Sequence, residues 1–99
     1  MVKELKKDGF EKVKESTKAL VDCYATWCGP CKMLSPIIDE LANEVTSYDF
    51  FKVDIDEAEE IAEEYGIMSI PTLLIFNNGE LKEKIVGFKT KEELLEILK

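Results

Sequence analysis

The chain has 99 residues, 45% hydrophobic and 34% charged, with a formal net charge of −8 and no histidine; this length supports one compact core, so residues 1–99 are read as a single domain. The acidic balance would repel a nucleic-acid backbone, and no apolar run approaches the roughly 20 residues that span a bilayer. Met1 to Lys14 alternates charges where an export signal would be apolar, so the expectation is a cytoplasmic monomer with no nucleic-acid or membrane partner.

Val2 to Leu5 reads as a short edge strand, and Phe10, Val13 and Thr17 as the inner side of one brief helix after Asp8-Gly9. Ala19 to Ala25 is an almost unbroken apolar run, the pattern of a central strand covered on both faces, and it ends just before Trp27-Cys28-Gly29-Pro30-Cys31. From Cys31 onward Leu34, Ile38, Leu41 and Val45 recur at helical spacing. A long helix is predicted there, kinked by Pro36, which removes one intrahelical hydrogen bond.

Phe50 to Asp54 reads as a second buried strand. Asp56 with Glu59 resembles a capping pair for a helix whose Ala58, Ile61, Ala62 and Tyr65 face inward, and Gly66 ends it. Thr72 to Phe76 and Leu81 to Val86 flank Asn78-Gly79, a favoured hairpin turn, and Lys82-Glu83-Lys84 suits an exposed sheet edge. Thr90 with Glu93 forms a capping-box pattern before a last helix carrying Leu94, Leu95, Ile97 and Leu98. The order β, α, β, α, β, α, β, β, α predicts an α/β sheet with helices on its faces.

Two of the three cysteines are spaced C-x-x-C, a pattern used for metals or for redox chemistry. Tetrahedral zinc needs four ligands, and the chain has no histidine and no second such pair, so no metal is assigned. At a strand-to-helix turn the first thiol is expected to face solvent and the second to point back into the helix. Cys28 then meets unpaired amides and the positive end of the helix dipole, which favour its thiolate and lower its pKa from the free value of about 8.5. Asp22 sits inside an apolar run without the alternation that would give it a wet face, so it is read as a buried carboxyl with a raised pKa, a surface aspartate being the alternative. Cys23 should face away from Asp22 and behave as a small buried apolar residue.

Trp27-Cys28-Gly29-Pro30-Cys31-Lys32, preceded by Val21-Asp22 and followed far downstream by Ile70-Pro71-Thr72, resembles the thioredoxin family from about Ala19 to the C-terminus. The Gly-Pro dipeptide between the cysteines is similar to the reducing members more than to the disulfide isomerases or periplasmic oxidants. The resemblance implies the thioredoxin fold, a central five-stranded mixed sheet flanked by four helices. It also implies a protein-disulfide reductant in which Cys28 attacks and Cys31 resolves, with no cofactor beyond the redox-active Cys28–Cys31 disulfide. Its partners would be a thioredoxin reductase and disulfide-containing clients. An isomerase or oxidant, or a non-catalytic binding module of the same fold, are the competing readings.

The same resemblance implies that Asp22 is buried behind Cys31, where it would take that thiol's proton through a water, with Lys52 close enough to modulate its charge. It implies a cis peptide at Ile70-Pro71 beside the cysteines, with the Ile70 backbone pairing with an extended client. The implied docking rim is Trp27, Gly29, Pro30, Ile70, Pro71, Val86, Gly87 and Phe88, with Thr72 adjoining it. On the residues alone the alternatives are Lys52 as an exposed strand lysine, Pro71 as a trans turn residue, Gly87 as an ordinary strand glycine and Trp27 as core. Cys23 and Tyr24 stand where aromatics are common, Met68-Ser69 precedes the Ile-Pro-Thr turn, and Phe88 is bulky; these departures bear on client preference.

Overall fold

A computed structural model describes all of residues 1–99. Its elements run β1 (Val2–Leu5), α1 (Glu11–Glu15), β2 (Lys18–Tyr24), α2 (Gly29–Glu44), β3 (Asp49–Asp54), α3 (Glu59–Glu64), β4 (Thr72–Asn77), β5 (Glu80–Val86) and α4 (Lys91–Ile97). The five strands form one sheet in the order β1-β3-β2-β4-β5, so the apolar run at β2 is central, one residue earlier than the sequence pattern placed it. β1, β3 and β2 are parallel, whereas β4 is antiparallel to both β2 and β5.

Strand alternation sends neighbouring apolar residues to opposite faces, which builds two cores from the same strands. Val21, Phe51 and Leu74 meet Val13 and Ile61 on the side of α1 and α3. Leu20, Phe50 and Leu73 meet Leu34, Ile38, Leu41 and Leu94 on the side of α2 and α4. By the same alternation Asp22 shares the face of Leu20, under α2, while Cys23 shares that of Val21 and packs in the first core.

Three local expectations need correction. Thr17 is exposed and lies beyond α1, so only Phe10 and Val13 form the inner side of that helix. α2 begins at Gly29, ahead of Cys31, and runs through Pro36 to Glu44, with Val45 as its C-cap. The Asp56–Glu59 capping pair does not form: Ala58 is the N-cap of α3 and has no side-chain capping bond. Asp54 explains this, because its carboxylate takes the Asp56 amide at 2.9 Å and its carbonyl takes the amides of Glu57 and Ala58 at 3.1 and 3.0 Å.

Gly66 does end α3, at φ +63°, a conformation that favours glycine. The amide of Ile67 returns to the Ala62 carbonyl at 2.8 Å, and Lys84 of β5 donates to the carbonyls of Tyr65 and Gly66 at 3.0 and 3.1 Å. This lysine ties the sheet edge to the carbonyl end of the helix. Asn78 and Gly79 both have positive φ, 52° and 84°, as a tight hairpin turn between β4 and β5 requires.

At α4 the capping box is complete, with Glu93 N donating to Thr90 Oγ1 at 3.2 Å and Thr90 N donating to Glu93 Oε1 at 2.9 Å. Thr90→Ala should therefore lower the unfolding free energy by about 1 kcal/mol. Urea denaturation checks this: the midpoint falls at unchanged slope, and an unmoved midpoint contradicts a role for the cap.

Candidate active site

The parallel strands β1, β3 and β2 end on the same side of the sheet, and the turn from Ala25 to Cys28 joins β2 to α2 there. The Cys28 amide donates to the Ala25 carbonyl at 3.2 Å, which folds the turn tightly. Cys28 keeps extended backbone angles, φ −91° and ψ 114°, and is the N-cap of α2. Its sulfur therefore stands where a capping serine would place its oxygen, and it accepts the Cys31 amide at 3.2 Å. Pro30 lies in the first helical turn, where a missing N–H leaves no intrahelical bond unmade and the ring's fixed φ suits the helix.

Cys28 and Cys31 are joined as a disulfide, with their Cα atoms 5.3 Å apart. The two residues are equally covered, 5% and 4% exposed, so the expected contrast in solvent exposure is absent from the oxidised form. The bonded pair packs with Ala25, against Tyr24, Ile55 and Ile70. The asymmetry lies elsewhere. Cys28 holds the helix-capping position, and its sulfur is 3.9 Å from the Ile70 carbonyl oxygen. Cys31, in contrast, lines a hollow of about 320 Å³ together with Asp22, Lys52, Tyr24, Ser35 and Lys32.

The Ile70–Pro71 peptide is cis, as the resemblance implied. The Gly87 amide donates to the Pro71 carbonyl at 2.8 Å, so the segment after β5 lies beside this turn. Gly87 has φ +94° with open space where a side chain would stand, so it is not an ordinary strand glycine. Trp27 is 69% exposed and not core; Gly29, Pro30, Val86 and Phe88 are exposed as well, and Ile70 is half-buried. Pro71 is buried and departs from this pattern, as does Thr72, whose buried side chain donates to the Ser69 carbonyl at 2.6 Å. Thr72 shapes the proline turn from inside and offers no side-chain surface to a client.

Asp22 is 4% exposed, and its Oδ1 has no hydrogen-bond partner among the protein groups. Burial pushes its pKa up to about 7, opposed by the Lys52 charge and reinforced by Glu4 and Asp39. Lys52 is half-buried and directly paired in register with Asp22 across β2 and β3. Cys23 is fully buried on the other face, where burial pushes its thiol well up and leaves it a packing residue.

Two features escaped the sequence reading. Asp56 accepts the Trp27 indole N–H at 2.8 Å and so fixes the exposed ring beside Cys28. Glu4 accepts the Tyr24 hydroxyl at 2.9 Å on both carboxylate oxygens, close to Lys52. Each contact joins residues from separate loops or strands, and no local motif signals either.

Residues 1–99 match a protein-family model described as Thioredoxin. The chain is 51% identical over 82 residues to a thioredoxin of Mycoplasmoides gallisepticum, covering 83% of this chain and 82% of that one. It is 49% identical over 90 residues to a thioredoxin of Staphylococcus epidermidis, covering 90% and 86%. Among solved structures, a mutant thioredoxin from Halobacterium salinarum NRC-1 superposes with a TM-score of 0.92 at 33% identity, covering 98% of this chain and 87% of that one.

The state of Asp22 has a consequence for stability. Its folded pKa of about 7 lies above the unfolded aspartate value, about 3.9, so between those pH values the folded chain holds a proton that the unfolded chain has lost. The stability this contributes is present at acid pH and is lost as pH rises toward 7. Asp22→Asn, which cannot ionise, should flatten that fall and leave the variant more stable than the parent at pH 8 by roughly 3–4 kcal/mol. Guanidinium unfolding at pH 5 and pH 8 checks it; a variant less stable than the parent at pH 8 contradicts the buried, penalised carboxyl.

Proposed function

The chain belongs to the thioredoxin family and is a protein-disulfide oxidoreductase, and we propose that Cys28 is its attacking sulfur and Cys31 its resolving one. The observation that carries these roles is the Cys31 amide aimed at the Cys28 sulfur at the start of α2. In the reduced protein that amide and the helix N-terminus stabilise negative charge on Cys28, as expected of the nucleophile.

The Cys28 thiolate attacks one sulfur of a client disulfide, and the client S–S bond breaks. The other client sulfur leaves as a thiolate and takes a proton, giving a mixed disulfide. Cys31 then loses its proton to the Asp22 carboxylate, through a water in the hollow both residues line, and its thiolate attacks the Cys28 sulfur. The second client sulfur leaves and is protonated in turn. Two electrons and two protons have passed to the client, and Cys28–Cys31 is a disulfide again. Asp22 suits the role of base because its pKa of about 7 lets it accept and release a proton near neutrality.

Clients are read as extended chains lying along Ile70, whose carbonyl is 3.9 Å from the Cys28 sulfur. Trp27, Val86 and Phe88 supply exposed apolar surface around that point, and backbone pairing tolerates varied client side chains. Lys52 acts on the charge of Asp22 and not on the client. A thioredoxin reductase restores the dithiol, and residues 1–99 work as one monomeric domain in the cytoplasm, where such a reductant is renewed.

Cys31→Ser should accumulate mixed disulfides through Cys28 when mixed with an oxidised client, whereas Cys28→Ser should accumulate none; capture through Cys31 instead would reverse the two roles. Asp22→Asn should slow release of the captured client by at least about tenfold near neutral pH. Stopped-flow release measured from pH 6 to 9 checks this, and the parental rate throughout would remove Asp22 from the mechanism.

A further inference from the structure

Three strands set Glu4, Lys52 and Asp22 in a row. The registers pair Glu4 with Lys52 and Lys52 with Asp22. Residues paired in this way leave the same side of the sheet, here the side covered by α2. Lys52 thus lies between the two acidic residues in the strand register, and the ion pair its ammonium makes is with Glu4, at 3.9 Å. Asp22 is left buried with an unpartnered Oδ1. Glu4 is itself held in place, because the Tyr24 hydroxyl donates to both of its oxygens at 2.9 Å.

We propose that Glu4, fixed by Tyr24, is a positioning residue that draws the Lys52 ammonium away from Asp22 and thereby sets the pH at which Asp22 becomes a free carboxylate. Its importance for catalysis rests on the reading of Asp22 as the base that takes the Cys31 proton. As a source of stability the Glu4–Lys52 pair counts for little, since both side chains are about a third exposed, 33% and 36%. Its effect on Asp22 is larger because that carboxyl is buried, where charges are screened less. Two effects act with one sign: the Glu4 charge opposes ionisation of Asp22, and the diverted ammonium favours it less than a direct partner would.

The other charged or titratable groups facing Asp22 do not substitute for this arrangement. From α2 come Cys31, Lys32 and Asp39; Lys32 and Cys31 line the hollow, and Asp39 raises the pKa as Glu4 does. From β3 come Lys52 itself and Asp54, which faces Tyr24 across the register. From β4 the register partner of Asp22 is Leu73, which carries no charge. Among the acidic groups of the cluster, Glu4 is the one that contacts Lys52.

The test is a carbon-13 NMR titration of the Asp22 carboxyl in the reduced full chain, for the parent, Glu4→Gln, Lys52→Met and the double variant. Glutamine keeps an acceptor for the Tyr24 hydroxyl and removes only the charge, and position 4 lies on an edge strand where the substitution disturbs no core. Glu4→Gln should lower the Asp22 midpoint by about one pH unit, a tenfold gain in ionised Asp22 at pH values below it. Lys52→Met should raise the midpoint, and in that background the effect of Glu4→Gln should shrink to less than half. An unmoved or raised midpoint in Glu4→Gln overturns the inference, as does a full shift that persists without Lys52, which would leave direct repulsion alone. The pH profile of client release from the mixed disulfide separates this inference from the reading beneath it. A midpoint that moves while the release profile stays still supports the role of Glu4 and sinks Asp22 as the base.

Discussion

The amide of Cys31 donating to the sulfur of Cys28 across the first turn of α2 is the contact on which the site depends. It requires the chain to leave the central strand and enter a helix within a few residues, with a cysteine in the capping position and an amide free to point at it. The Ala25–Cys28 turn provides the reversal. The leucine and isoleucine stripe of α2 then anchors the helix on the sheet, so the position of the sulfur is inherited from the core. On the other side of the sulfur the cis Ile70–Pro71 turn brings a carbonyl to 3.9 Å, and Gly87 closes over the Pro71 carbonyl.

Alternation along β2 places the second half of the proposed chemistry. It sends Cys23 into an apolar core where its thiol is inert, and sends Asp22 under the helix that carries Cys31. A carboxyl in that place opposes the stability of the fold above neutral pH, since nothing in the protein bonds its Oδ1. A core residue chosen for packing alone would be apolar there. The proposed role of Asp22 accounts for that cost, as expected where a titratable group must work near neutral pH. In the arrangement proposed above, the row from Asp22 through Lys52 to Glu4 carries influence on that one proton across three strands to the edge of the sheet.

Much of this was legible from residues alone because the signals are local. The unbroken run at β2, the helical stripe of α2, the Asn78-Gly79 turn and the Thr90–Glu93 box each act within a few residues; the turn and the box form as read, and β2 and α2 form with shifted ends. The anomalous Asp22 was also legible, since a carboxylate in a run without alternation has no wet side to face. The Asp56–Glu59 pair shows the limit: its spacing suits a cap, but the Asp54 carboxylate takes the Asp56 amide, and the Asp56 carboxylate goes to Trp27. The positions of Thr72 and Glu4 depend on a turn geometry and on a strand register, and neither is written in any short stretch of sequence. The equal covering of Cys28 and Cys31 departs from the expected solvent-facing first sulfur, because Ala25, Tyr24, Ile55 and Ile70 pack around the pair, and residue spacing does not describe those neighbours.

The most direct test of unequal roles for the two sulfurs is to reduce the protein, treat it briefly with a small alkylating agent at pH 7, and map the modified cysteines by mass. The expected result is that Cys28 is labelled first and Cys31 much more slowly, with Cys23 untouched in the folded chain. Equal labelling of Cys28 and Cys31, or preferential labelling of Cys31, would contradict a nucleophile set by the start of α2.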